Sequence, residues 1–209
     1  MTTVAIMVNP FSTRHTRPGC IVPLDGDGAP LDVGTLLERL RDVGGTGAIV
    51  GPHGSGKSGL LLHLAETLEA RGTRVRRVRL RTSRDAWQAV GAIRSAGRSG
   101  TVCLDGWECL AAPVRGLLRL LSWAAGCGLI VTAHRRGRLP VLATCRTSVA
   151  LLDSIVGRLP GKAVWYGTLI RPEDVRSAYE RRRGDVREAL YELYDVFERR
   201  SRGGMPHRS

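Results

Sequence analysis

Residues Gly51-Pro-His-Gly-Ser-Gly-Lys-Ser58 constrain this 209-residue chain more than any other feature. They complete the pattern G-x-x-x-x-G-K-[ST]. The apolar run Ala48-Ile49-Val50 precedes them, and a helix over residues 58–70 follows, with Leu60, Leu61, Leu64 and Leu68 turned inward. The spacing has a physical basis. Glycines let successive backbone N–H groups turn toward one point, and the helix N-terminus adds its positive end, so the segment suits bound phosphate. Lys57 would reach the β- and γ-phosphates of a nucleotide, and the Ser58 hydroxyl would bind Mg²⁺. The candidate cradle comprises Gly51, Pro52, His53, Gly54, Ser55, Gly56, Lys57, Ser58 and Gly59. His53 occupies a variable position, has no evident partner, and is expected to face solvent.

The chain around this loop alternates strand and helix. Residues 75–81 read as a strand, and 83–96 as a helix carrying Trp87, Val90 and Ile93. Residues 101–104 are a strand. Residues 113–125 are a helix, with Pro113 in its first turn and Gly126 past its end. Residues 129–133 and 141–144 are further strands, and 148–159 a further helix. Repeated βα units predict an α/β fold whose parallel sheet is covered by helices on both faces. Arg77-Val-Arg-Leu-Arg81 alternates, whereas the other strands are apolar throughout, which puts 75–81 at the sheet edge. Residues 1–46 form a Pro- and Gly-rich N-terminal segment, apolar from Val4 to Val8. Its helix over 32–42 has Leu36, Leu37 and Leu40 on one face. The core spans 47–160. Residues 161–200 form a two-helix appendage. Asp185 caps its second helix, where Val186, Leu190, Leu193 and Phe197 share a face. Residues 201–209 are expected to be a disordered tail.

Thr101-Val-Cys-Leu-Asp105 is an apolar strand ending in an acid, the place for a carboxylate that holds Mg²⁺ directly or through water. Ser58 and Asp105 are the expected metal-side pair. Hydrolysis also needs a group that positions water in line with the γ-phosphate. Glu108 serves if Gly106 tightens the turn, and is otherwise a solvent-facing acid at a helix start. Leu129-Ile-Val-Thr132-Ala-His134 ends in polar residues at the same end of the sheet, where Thr132 or His134 can sense the terminal phosphate. Arg187, in Gly184-Asp-Val-Arg-Glu-Ala-Leu190, either folds over the nucleotide or pairs with Asp185 or Glu188.

The net charge is +13, yet Lys57 and Lys162 are the only lysines. Such an arginine bias follows from genome base composition, and charge alone is a weak sign of nucleic-acid binding. Residues 71–100, with nine arginines and one acid, Asp85, are the stretch best suited to track phosphates. No apolar run reaches the roughly 18–20 residues of a membrane helix, and the N-terminus has no basic leader. The five cysteines, at 20, 103, 109, 127 and 145, include no C-x-x-C pair. These features point to a reduced, cytoplasmic chain without a zinc site, a disulfide framework or a membrane contact.

With these residues in view, the chain resembles the P-loop ATPases that carry an extra strand between Walker A, at 51–58, and Walker B, at Asp105. Strand 75–81 is that extra strand, and the resemblance implies the sheet order 5-1-4-3-2. Within the group the chain looks most like the AAA+ ATPases. That likeness implies that Thr132 is the sensor 1 residue and Arg187 the sensor 2 arginine of a helical lid. His134 also resembles the switch histidine of ABC-type ATPases. The link from His134 to Val141 is too short for the helix that bears the arginine finger in AAA+ rings, though Arg135, Arg136 and Arg138 crowd it, so the oligomeric state stays open. Asn9-Pro-Phe, Gly-Pro-His-Gly-Ser-Gly-Lys, Asp-Gly-x-Glu and Val-Thr-Ala-His, in this order, also make the chain similar to small bacterial ATP-binding proteins of unassigned role. Asn9-Pro-Phe is expected near the adenine.

The expected activity is Mg²⁺-dependent ATP hydrolysis that drives a conformational change on an unknown protein partner. The choice between ATP and GTP stays open, since no guanine-reading Asn-Lys-x-Asp motif is present and adenine is usually read by backbone and apolar contacts. Two alternatives stand beside it. One is a P-loop kinase of a small metabolite, which needs a phosphate-clamping lid. The other is a nucleic-acid-binding module, switched by ATP, that uses the arginines of 71–100.

Overall fold

The computed structural model describes residues 8–203; the expected apolar start up to Met7 and the tail from residue 204 lie outside them. Five parallel strands form one sheet in the order β2-β3-β4-β1-β5, which is 5-1-4-3-2 read from the opposite edge. The strands are β1 Thr46–Val50, β2 Val75–Arg79, β3 Thr101–Asp105, β4 Gly128–Ala133 and β5 Val141–Thr144. β1, β3 and β4 are almost wholly buried, as unbroken apolar strands between two helical layers must be. β2 is the edge, and its Arg76, Arg77 and Arg79 are exposed.

Helices α2 (Val33–Asp42) and α3 (Lys57–Ala70) cover one face, where Leu37, Leu40, Leu60, Leu61 and Leu64 meet Ile49, Cys103 and Ile130. Helices α4 (Ala86–Ala96) and α5 (Ala112–Ala125) cover the other, through Ala89, Ile93 and Leu118. Trp87 does not share that buried face and is 81% exposed. At 3.6 residues per turn, Trp87 and Ile93 lie on different sides of a helix, and the alanines at 89, 92 and 96 let α4 sit close to the sheet. Residues 83–85, expected as part of this helix, form a separate 3₁₀ turn. The Asp85 carboxylate accepts the N–H groups of Arg81 and Thr82 there.

A third cluster joins the N-terminal segment to the C-terminal helices. It contains α6 (Val149–Gly157), the single turn α7 (Lys162–Trp165), α8 (Pro172–Arg181) and α9 (Val186–Gly203). The sequence assigns α6 to the core, yet its Leu151, Leu152, Ile155 and Val156 pack with the C-terminal helices, so this cluster holds more than the two helices expected. Val186, Leu190, Leu193 and Phe197 are all buried in it. Asp185 caps α9, accepting the Glu188 N–H at 3.1 Å. α9 runs to Gly203, three residues into the expected tail.

Asn9-Pro-Phe anchors the N-terminal segment to this cluster. The Asn9 amide donates to Tyr194 O at 3.2 Å and to Glu198 Oε1 at 2.9 Å. Phe11 is 1% exposed, its ring centroid 5.3 Å from that of Trp165 and 6.3 Å from that of Phe197. After the single turn α1 (Thr13–Thr16) the chain crosses α3, where His63 Nε2 lies 3.1 Å from Ile21 O. No helix among the described residues is long and apolar enough to cross a membrane.

Phe11→Ala should therefore cost about 3–5 kcal/mol, the usual range for emptying an aromatic core site. Urea denaturation measures it. A loss under about 1 kcal/mol, the level of a surface change, would mean that Phe11 is not a core residue.

Candidate functional site

The loop that leaves β1 is shaped by what its glycines make room for. A Cβ on Gly51 would stand 2.4 Å from Cys145 O and 2.8 Å from Ser55 Oγ, so the chain after β5 passes too close for any side chain. Gly54 and Gly56 have φ of +67° and +84°, backbone that glycine alone adopts at no cost. Gly59, by contrast, has open space around its Cβ position and does not shape the loop. Lys57 Nζ reaches back across the loop and donates to Gly51 O at 2.8 Å and Pro52 O at 2.6 Å. Ser55 Oγ also donates to Pro52 O, at 2.9 Å. Burial draws the Lys57 pKa down, against the opposing pull of Glu108, Asp105 and Asp185.

Asp105, the last residue of β3, ties three elements together. Ser58 Oγ donates to its carboxylate, 2.9 and 3.0 Å from the two oxygens. Thr132 Oγ1 donates to Asp105 Oδ1 at 2.7 Å and accepts the Gly106 N–H at 2.9 Å. The Thr132 hydroxyl is thus committed to holding the end of β3, and its residue is 1% exposed.

Gly106 then turns the chain. Its φ is +96°, and a Cβ would meet Leu80 O at 2.5 Å. The 3₁₀ turn Trp107–Cys109 follows, with Trp107 buried as its anchor. Glu108 consequently faces the end of β4, where its Oε1 lies 3.1 Å from His134 Nε2. A carboxylate oxygen accepts, so the His134 ring nitrogen is assigned as the donor. Burial draws the His134 pKa below the ordinary histidine value, although Glu108 pulls it upward. His53 is exposed but not free, for its ring centroid is 3.8 Å from that of His134.

These groups line a single cleft of about 450 Å³, together with Arg187. Arg187 is exposed on the first turn of α9 and forms no ion pair with Asp185 or Glu188. The start of α9 touches the loop itself: a Cβ on Gly54 would stand 2.0 Å from Asp185 Oδ1 and 3.2 Å from Arg187 N. All sequence-predicted site residues thus converge on this cleft or its loop.

Two parts of the cleft have no counterpart among those residues. One is an apolar wall built by Ile21, Leu24 and Leu31 of the N-terminal segment with Ile155, Val186 and Leu190. Asn9-Pro-Phe, expected near the adenine, is not in it, because those residues are buried against α9. Residues 13–24 have no periodic pattern that marks them as a wall. The other part is the edge strand, whose Arg79 and Arg81 also line the cleft, with Arg79 Nε 4.0 Å from Asp105 Oδ2.

No family model and no curated protein matches the sequence. Solved structures do match. The Thermotoga maritima RuvB Holliday junction branch migration motor gives a TM-score of 0.53 at 17% identity, over 82% of this chain and 66% of RuvB. A mutant of the same RuvB gives 0.54 at 16% identity, over 82% and 67%. A DNA replication initiation factor gives 0.53 at 18% identity, over 81% and 63%. The chain spans about two thirds of the length of these neighbours. The likeness is one of fold: with its 5-1-4-3-2 sheet and C-terminal helical cluster, the chain has the AAA+-like P-loop NTPase fold.

Proposed function

We propose that this protein binds ATP with Mg²⁺, hydrolyses it, and passes the resulting change to a partner through its C-terminal helices. The observation that carries the proposal is the meeting of Lys57, Ser58, Asp105 and Glu108, which lie on three separate segments, in one cleft. The donor set fits the metal. A hydroxyl and a carboxylate within 3.0 Å of each other are hard oxygen ligands, and they leave most of an octahedral shell to water and phosphate, as Mg²⁺ prefers. Mg²⁺ bound there would neutralise charge on the phosphate oxygens.

The chain's own residues supply the remaining roles. Loop N–H groups and the α3 N-terminus cradle the phosphates. Lys57 exchanges its two loop carbonyls for phosphate oxygens. Glu108 accepts a proton from the attacking water, and His134 holds the carboxylate in position. Arg187 reads the γ-phosphate from α9, and the apolar wall of Ile21, Leu24 and Ile155 takes the base.

A kinase is less well supported, since α4 and α5 pack against the sheet and, among the described residues, no lid is inserted between the central strands. Phosphate release without an acceptor separates the two. A nucleic-acid module switched by ATP is supported by the exposed Arg76 and Arg77 along the free edge β2, and the structural neighbours include a Holliday junction branch migration motor and a DNA replication initiation factor. Binding of single- and double-stranded DNA that weakens steeply with salt is its signature.

Lys57→Ala should abolish ATP-dependent thermal stabilisation, and Glu108→Gln should keep it while slowing phosphate release by about 10²–10⁴-fold. Stabilisation that survived Lys57→Ala would remove the proposal. Turnover unchanged in Glu108→Gln would leave binding intact but assign the water to another group.

The His134 contact gives a pH dependence. A lowered pKa keeps the imidazole neutral below the ordinary histidine value of 6.5. Its protonation makes a full ion pair with Glu108 and weakens that carboxylate as a base. Turnover should therefore fall on acidification, with a midpoint below pH 6.5. A kcat profile over about pH 5–8 tests this, and His134→Asn should lose that acid limb.

Arg187→Ala should lower ATP affinity relative to ADP affinity by about tenfold, the loss of roughly 1.4 kcal/mol from a charge-assisted phosphate contact. Calorimetric titration with both nucleotides measures the ratio. An unchanged ratio leaves Arg187 as surface charge.

A further inference from the structure

We propose that Arg79 supplies, within the same chain, the arginine that stabilises the γ-phosphate during hydrolysis. The inference rests on the ATPase reading above. Strand register makes Arg79 the direct neighbour of Asp105, at the carboxyl ends of β2 and β3 where the cleft opens. Its guanidinium lies 4.0 Å from Asp105 Oδ2, an oxygen that also accepts from Ser58 Oγ at 2.9 Å.

That ion pair is not what positions Asp105. Ser58 and Thr132 already hold the carboxylate with bonds of 2.7–3.0 Å. The Arg79 side chain is 61% exposed, and a pair this long and open contributes little to stability. The guanidinium is therefore free to move, and its five donors match phosphate oxygens. With Lys57 at the loop and Glu108 beside His134, Arg79 adds a cation from the edge-strand side of the cleft.

Arg81, two residues on, also lines the cleft but forms no ion pair with Asp105, and the remaining arginines are placed differently. Residues 135–140 form no helix that could present Arg135, Arg136 or Arg138 to a neighbouring copy. None of those three lines the cleft. Arg187 approaches from the loop side on α9, and Arg17 from the N-terminal segment. Among the described residues, Arg79 is the arginine in contact with the metal-side acid.

The experiment measures phosphate release, ATP affinity and melting temperature for wild type and Arg79→Ala. Turnover is expected to fall about 10³-fold, the scale of an arginine finger, with ATP affinity within a few-fold and melting temperature unchanged. An Arg79 that merely neutralises Asp105 predicts turnover within twofold of wild type, and that result overturns the proposal. Mixing Arg79→Ala with the ATP-binding-deficient Lys57→Ala separates the two geometries. An arginine acting within its own chain gives no recovery in the mixture. Recovery would show that a neighbour donates it and would also overturn the proposal. A wild type that binds ATP but releases no phosphate would instead sink the ATPase reading before Arg79 is compared.

Discussion

The carboxylate of Asp105 is the point on which the rest of the site depends. It accepts Ser58 from the start of α3 and Thr132 from the end of β4, and it stands opposite Arg79 on β2. Thr132 in turn fixes the Gly106 amide. Loss of the Thr132 hydroxyl would therefore remove the partner of the half-buried Gly106 N–H and one of the two hydroxyl donors to Asp105, which is costlier than losing one weak bond. The arrangement also separates two duties that the sequence leaves open between Thr132 and His134. Thr132 holds the metal-side acid, and His134 holds the acid proposed to position water.

The second constraint lies where α9 meets the phosphate loop. Asp185 caps α9 and simultaneously fills the space that a Gly54 side chain would need. An acid so close to the loop is unfavourable to a bound polyanion, whereas Arg187, two residues on, is favourable. On the proposed reading, the balance makes this contact sensitive to phosphate charge. A small shift at such a packed contact is passed on as a rigid-body movement, because close-packed interiors do not deform gradually.

Much of this was legible in the sequence, for identifiable reasons. The loop motif prescribes a strand before it and a helix after it, and the unbroken apolar runs of β3 and β4 prescribe burial on both faces. The arginine alternation of β2 prescribes an edge. Other features carry no such local signature. The α4 pattern is ambiguous because alanines, not Trp87, make its buried face. Residues of α6 are apolar enough for either cluster, and only the position of Phe11 and Trp165 decides between them. The cleft wall from Ile21 to Leu31 is irregular backbone held by long-range contacts, so no periodicity announces it. Arg79 is hidden for the opposite reason: an arginine on an edge strand has an ordinary solvent-exposed explanation, and strand register alone brings it to Asp105.

The hydrophobic cluster around Phe11 gives the proposed nucleotide site its route outward. Val186 and Leu190 belong both to the cleft wall and to that cluster. Asn9 and Phe11 fasten the N-terminal segment to the same helix, while Ile21 and Leu24 of that segment return to the cleft. The cleft is thus walled on one side by the sheet and on the other by a unit that contains residues of the N-terminal segment and the C-terminal helices. A phosphate that draws Arg187 toward the loop would move α9, and α9 cannot move without Phe11 and Trp165. On the proposed reading, chemistry at Asp105 is felt by the whole C-terminal cluster through packing alone, with no need for a hinge of its own.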